Sequence, residues 1–184
     1  MGKFNFQKTP IDGLYVIQPA IHNDNRGHFL ECYNHDDFFN NGLDMNFCQE
    51  NESFSRKGVI RGLHFQKKHP QGKLVRIGFG EIFDVAVDLR RSSQTYKKWF
   101  GVRLSSENKK QLYIPEGFAH GFSVLSDTAV VIYKCSEYYY PDDEGGIIYN
   151  DSTLGIDWMI SPDTALVLSA KDLALPSLEE SSGY

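Results

Sequence analysis

The amino-acid sequence predicts an all-β fold, a two-sheet sandwich or jelly roll with a few short helices. Three observations carry that expectation. Short runs rich in β-branched and aromatic residues recur, and aromatic residues make up 14% of the chain. Turn clusters such as "LSDT" and "PDDEGG" separate the runs. Helical periodicity is scarce. A jelly roll encloses space between its sheets, so this architecture offers a small ligand somewhere to bind.

Taken in chain order, "GLYVIQPAI" (13–21) and "MNFCQENESFS" (45–55) are strand candidates, and "HDDFFNNG" (35–42) between them suits a short helix ended by Gly42. "GKLVRIGFGEIFDV" (72–85) reads as two strands joined by a hairpin loop at Gly78-Phe79-Gly80. In "IFDVAVDLR" (82–90), Val85, Val87 and Leu89 share one face and Asp84, Asp88 and Arg90 the other. "TAVVIYKC" (128–135) is a further strand, and "SAKDLALPSLEE" (169–180) can start a helix with Ser169 as N-cap. No linker or repeat divides the chain, so residues 1–184 are expected to form one domain, with a mobile polar tail over about 177–184.

Composition excludes several classes. A hydrophobic fraction of 41% and a charged fraction of 23% fit a soluble globular protein. A net charge of −5 supplies no general basic footprint for nucleic acid, so an anionic ligand would need a local basic cluster. No apolar run reaches membrane-spanning length, which argues against a membrane partner. "MGKFNF" lacks the apolar core of a secretion signal, and Phe6 stands where myristoylation wants Ser or Thr. Cys32, Cys48 and Cys135 are odd in number and form no CxxC, as expected of reduced thiols in a cytoplasmic protein.

Chemistry-bearing residues recur in the strand-like segments. His64 in "RGLHFQ" suits either a core-edge imidazole bonded to a backbone carbonyl or a group lining a pocket. Lys73 points inward if it continues the alternation of Val75 and Ile77, and is a solvated flank if the run begins at Leu74. Tyr133 shares a face with Val131 and Cys135, either as a core phenol or as a proton donor in a cavity. Asp172 has the capping-box spacing from Ser169, yet it can equally orient a histidine. "PEGFAH" fits the PxGxxH half of the cupin metal pattern. The other half needs HxH, and here His64-Phe65-Gln66 stands in its place. With His64 and His120 as the only plausible imidazoles and no third ligand, a metal-free site is expected.

Eight motifs occur in order: "DNRGHFLE", "FCQENESFS", "RGLHFQ", "QGKLVR", "GEIFDVAVDLRRSS", "LSSENKKQLYIPEGFAHGF", "YYYPDDEGG" and "LSAKDLALP". Together they resemble the dTDP-4-dehydrorhamnose 3,5-epimerase family, from about Gly13 to Pro176. The resemblance implies a cupin-like jelly roll, a homodimer, no cofactor and a nucleotide-sugar substrate. It implies His64 as general base, Asp172 as its orienting partner, Tyr133 as general acid and Lys73 beside the sugar's keto oxygen. Arg26, Glu31, Gln49, Asn51, Arg61, His120, Glu144 and Lys171 fall where the family contacts the nucleotide sugar, and Tyr138 where an aromatic packs on the nucleotide. Tyr113 and Tyr149 stand where the family often has Trp.

Overall fold

The structure, a computed structural model, describes residues 3–181. Thirteen strands follow in the order β1 (Phe4–Lys8), β2 (Tyr15–Pro19), β3 (His22–Asp24), β4 (Gly27–Phe29), β5 (Gln49–Arg56), β6 (Ile60–Gln66), β7 (Lys73–Phe79), β8 (Glu81–Asp88), β9 (Trp99–Ser105), β10 (Gln111–Ile114), β11 (Phe118–Val124), β12 (Thr128–Cys135) and β13 (Glu144–Gly146). Two short helices interrupt them, α1 (His35–Asn40) and α2 (Ala170–Leu173). One sheet has the order β1-β2-β10-β7-β12-β5 and the other β13-β6-β11-β8-β9, with β3-β4 as a separate hairpin. All the pairings between these strands are antiparallel. The all-β jelly-roll class is therefore observed, and "TAVVIYKC" is a strand over its full predicted length. No helix among the described residues is long and apolar enough to cross a membrane.

Three apolar layers hold the sheets. Val75, Ile77, Leu112 and Val131 of the first sheet meet Ile82, Ala86, Leu104 and Phe122 of the second between them. Outside the second sheet, Val85, Val87 and Ala119 pack under Leu154, Trp158 and Leu178 of the C-terminal segment. Outside the first, Ile17, Leu74 and Tyr113 pack under Phe38 of α1, with Leu43 and Met45. Asn34 starts α1 by accepting a hydrogen bond from the Asp37 N–H at 3.2 Å, and the helix ends before Gly42 as its sequence implies.

One expectation is corrected. The strands around Gly78-Phe79-Gly80 are not a hairpin, because β7 and β8 lie in different sheets. Gly80, at φ +80°, turns the chain from one sheet to the other, and a Cβ there would lie 2.1 Å from the Thr128 carbonyl oxygen. The two faces of the segment 82–90 are those its alternation gives, and both are covered. The C-terminal layer covers one face of β8 and the inter-sheet core covers the other, so Asp84 and Asp88 are both fully buried. Asp88 is neutralised there by Arg90, Ser93 and Thr95, whose hydrogen bonds overcome burial and pull its pKa down to about 2.

Of the segment 177–184, expected to be mobile, residues 182–184 lie outside the described residues. Leu178 is buried, and its N–H donates to Asp151 Oδ2 at 2.8 Å.

Candidate active site

The two sheets part at one end of the sandwich into two adjoining cavities of about 390 and 280 Å³. Lys73 stands at the start of β7 and shares its inward face with Val75 and Ile77, so the inward alternative holds. It is buried, and burial lowers its pKa against the opposing pull of Cys135, Asp84 and Glu144. On β5, Gln49 and Asn51 point to the same interior, and Gln49 Nε2 donates to Asn51 Oδ1 at 2.9 Å. Tyr133 of β12, paired with Asn51, lines both cavities, and its phenol is pushed up chiefly by burial.

β6 brings Arg61 and His64 to one cavity, although residues three apart face opposite ways in a regular strand. The register against β11 slips between His120↔His64 and Phe122↔Arg61, which turns both inward. The slip needs two backbones in near contact. A Cβ on Gly62, at φ +113°, would meet Gly121 Cα at 2.6 Å. Arg61 Nε donates to Ser55 Oγ at 3.0 Å.

His64 Nε2 lies 2.6 Å from Asp172 Oδ1. Asp172 Oδ2 accepts from Ser169 Oγ at 2.9 Å, while Ser169 Oγ accepts from the Asp172 N–H at 3.0 Å. The cap and the histidine contact thus coexist on one carboxylate, because the short helix α2 aims its first turn at β6. Burial lowers the His64 pKa, the Asp172 and Glu144 carboxylates oppose that, and Lys73 adds to it; the net direction is down. The ring is therefore neutral near pH 7. Glu144 of β13 sits 3.9 Å from His64 Nδ1 and 2.6 Å from Lys171 Nζ. Burial pushes Glu144 up, but hydrogen bonds from Lys171 and Tyr139 outweigh it and hold the carboxyl below its usual value.

His120 faces the second cavity from β11, with Nε2 2.7 Å from the buried Asp84 Oδ1. Nothing in the local sequence pattern around Asp84 shows that both faces of its strand are covered. Among the described residues, no three His, Cys, Asp or Glu side chains converge to hold a metal ion. The three cysteines are free thiols.

Three predicted contacts lie apart. Arg26 and Glu31 line neither cavity: Arg26 pairs with Asp24 at 2.6 Å on the β3–β4 hairpin, and Glu31 with Lys3 at 3.0 Å. Tyr138 is exposed and its carbonyl accepts from Gln66 Nε2. Its neighbour Tyr139 lines the larger cavity instead and donates its hydroxyl to Glu144. A run of three tyrosines gives no signal for which one turns inward.

A neutral imidazole held by a carboxylate, a buried cation and a phenol thus surround one small space. A family model described as dTDP-4-dehydrorhamnose 3,5-epimerase matches residues 8–180. The chain belongs to that family. The dTDP-4-dehydrorhamnose 3,5-epimerase of Methanothermobacter thermautotrophicus is 52% identical over 184 residues, covering all of both chains. A crystal structure of the Elizabethkingia anophelis dTDP-4-dehydrorhamnose 3,5-epimerase superposes with a TM-score of 0.94 at 48% identity, covering 100% of each chain. A dTDP-6-deoxy-D-glucose-3,5-epimerase from Legionella pneumophila, solved in complex with dTDP-4-keto-L-rhamnose, gives 0.93 at 47% identity over 96% of this chain and 94% of that one.

Proposed function

We propose that this protein is a nucleotide-sugar epimerase that inverts C3 and C5 of dTDP-4-dehydro-6-deoxy-D-glucose to give dTDP-4-dehydro-L-rhamnose. The observation that carries the reading is the His64–Asp172 pair opening onto a cavity shared with Tyr133 and Lys73. A C–H beside a ketone is acidic only when the enolate is stabilised. Asp172 accepts the Nε2–H of His64, which leaves the Nδ1 lone pair free to take that proton. Lys73 sets positive charge where the enolate oxygen develops. Tyr133 returns a proton from the opposite face, and a phenol with a raised pKa stays protonated for that role. Arg61 and Lys171 offer cations to the diphosphate. The ketone itself acidifies both neighbouring carbons, so the reaction asks for no oxidant and no cofactor. A nucleotide-activated substrate and free thiols support a cytoplasmic location.

Tyr133→Phe separates the two half-reactions. Proton NMR in deuterated water, with dTDP-4-keto-6-deoxy-D-glucose as substrate, is expected to show continued loss of the C–H signals but little inverted product. Unchanged rate and stereochemistry in this variant would remove Tyr133 as the acid. In the wild type, deuterium is expected at both C3 and C5; exchange at one carbon would reduce the activity to a single-site epimerase.

We further propose a homodimer. On the outer face of the first sheet, Phe54, Val130 and Phe79 stand side by side across β5, β12 and β7. Phe54 and Phe79 are 59% and 61% exposed, and Phe29 on the β3–β4 hairpin is 68% exposed. Adjacent apolar side chains of this size favour burial against a second copy. A second copy would also supply Arg26 and Glu31, which do not reach the cavity of their own protomer. Sedimentation equilibrium is expected to give twice the chain mass of 21.0 kDa, and the double variant Phe54→Asp/Phe79→Asp to run as a monomer. A monomeric wild type at micromolar concentration would overturn the dimer.

A further inference from the structure

Five residues line both cavities: Ser53, Arg61, His64, Lys73 and Tyr133. They form the waist where the two spaces meet. The proposed function gives four of them a task there, as base, acid and cations. It gives Ser53 none.

The local structure makes Ser53 stand out further. Every second residue of β5 faces inward, which sets Gln49, Asn51, Ser53 and Ser55 in one polar row. Three members of that row are engaged within the protein. Gln49 donates to Asn51 Oδ1 at 2.9 Å, Asn51 Nδ2 donates to Cys135 Sγ at 3.7 Å, and Ser55 Oγ accepts from Arg61 Nε at 3.0 Å. Ser53 Oγ is shielded from solvent and has no hydrogen-bond partner among the described residues. An unpartnered hydroxyl is a standing cost to the fold. Its cross-strand neighbour is the fully buried Val131, so an apolar residue would suit the same place without that cost. Ser53 is only part-buried as a residue, and rotation of χ1 between staggered positions swings Oγ toward the cavity.

We propose that Ser53 is a specificity-determining contact for the sugar ring: its hydroxyl hydrogen-bonds the hydroxyl on C3, beside the ketone. This rests on the epimerase reading. The two carbons that flank the ketone differ in what they carry. C3 bears a hydroxyl; C5 bears the methyl group and the ring oxygen. An imidazole and a phenol can serve both carbons, and a side-chain hydroxyl that both donates to and accepts from the C3 hydroxyl is one group that tells them apart. Ser53 lies one pair along from Asn51↔Tyr133 on the same face, beside the acid. In the proposed contact it holds the hydroxyl-bearing side of the ring, and its removal weakens the presentation of C3 more than that of C5.

The test is the pair of site-resolved deuterium exchange rates for Ser53→Ala, read by proton NMR with dTDP-4-keto-6-deoxy-D-glucose. Exchange at C3 is expected to fall about ten-fold relative to C5, the value of one hydrogen bond of ~1.4 kcal/mol. Ser53→Cys, similar in size but a weak donor, is expected to shift the ratio the same way, and Tm is expected to stay within a few degrees. With wild-type exchange present at both carbons, equal falls or unchanged rates in the folded variants would overturn the role of Ser53 and leave the epimerase reading standing. Absence of exchange at either carbon in the wild type would instead overturn that reading, and the C3 contact with it.

Discussion

His64→Asn is expected to abolish deuterium exchange at both C3 and C5, with kcat reduced by about 1000-fold or more, within the range a positioned general base supplies. One imidazole serving both carbons requires that both exchanges disappear together. Asparagine keeps a polar group near Asp172 Oδ1, now 2.6 Å from the ring nitrogen, so the fold is expected to survive and the loss to lie in the proton transfer. Survival of exchange at one carbon would mean a second base. The pH profile gives an independent check. Burial lowers the His64 pKa below its ordinary 6.5, so the acid limb of kcat/KM is expected below pH 6.5. The stability link has the same sign. Below that pH the unfolded chain protonates this histidine before the folded one does. His64 therefore destabilises the fold as pH falls from 6.5 toward the folded-state pKa, and has no such effect above 6.5. Comparing the pH dependence of Tm in wild type and His64→Asn isolates this contribution.

Lys73→Met is expected to lower kcat by about 100-fold or more while leaving Tm unchanged or raised. Loss of charge at a developing enolate oxygen carries the first effect. The second follows from burial, which pulls the Lys73 pKa down and makes the ammonium costly to enclose. Methionine fills much of the same volume beside Val75 without that cost. A more stable, less active protein is the signature of a group kept for chemistry. A fall in Tm together with an unchanged kcat would show that Lys73 only braces the strand. Because its folded-state pKa is lowered, activity in the wild type is also expected to decline as pH rises toward 10.5, ahead of an ordinary lysine.

Local sequence was informative wherever one residue's surroundings lie close along the chain. "TAVVIYKC" has the β-branched and aromatic content of a strand and is one. Ser169 caps α2 by the spacing its sequence displays. The ordered motifs named the family before any geometry, because each places a particular residue type at a fixed interval. Alternation at β8 separates the two faces correctly but carries no sign that a C-terminal layer and a second sheet cover both, which buries Asp84 and Asp88. The glycine-loop signal for a hairpin failed at Gly78–Gly80, where two strand-like runs next to each other in sequence enter different sheets.

The sequence by itself determined the all-β class, the family and the residue types available for proton transfer. These depend on composition, short-range periodicity and motif order, which the chain carries locally. Only the tertiary structure decided that Lys73 points inward, that Asp172 caps its helix and holds His64 at once, and that Tyr139 rather than Tyr138 turns to the cavity. Only the fold brings His64 and Asp172 together across 108 residues of chain. The physical reason is that side-chain direction on a strand has a period of two, and one slipped register, as between β6 and β11, reverses it. Which face is then covered depends on segments far away in sequence, and no local pattern records them.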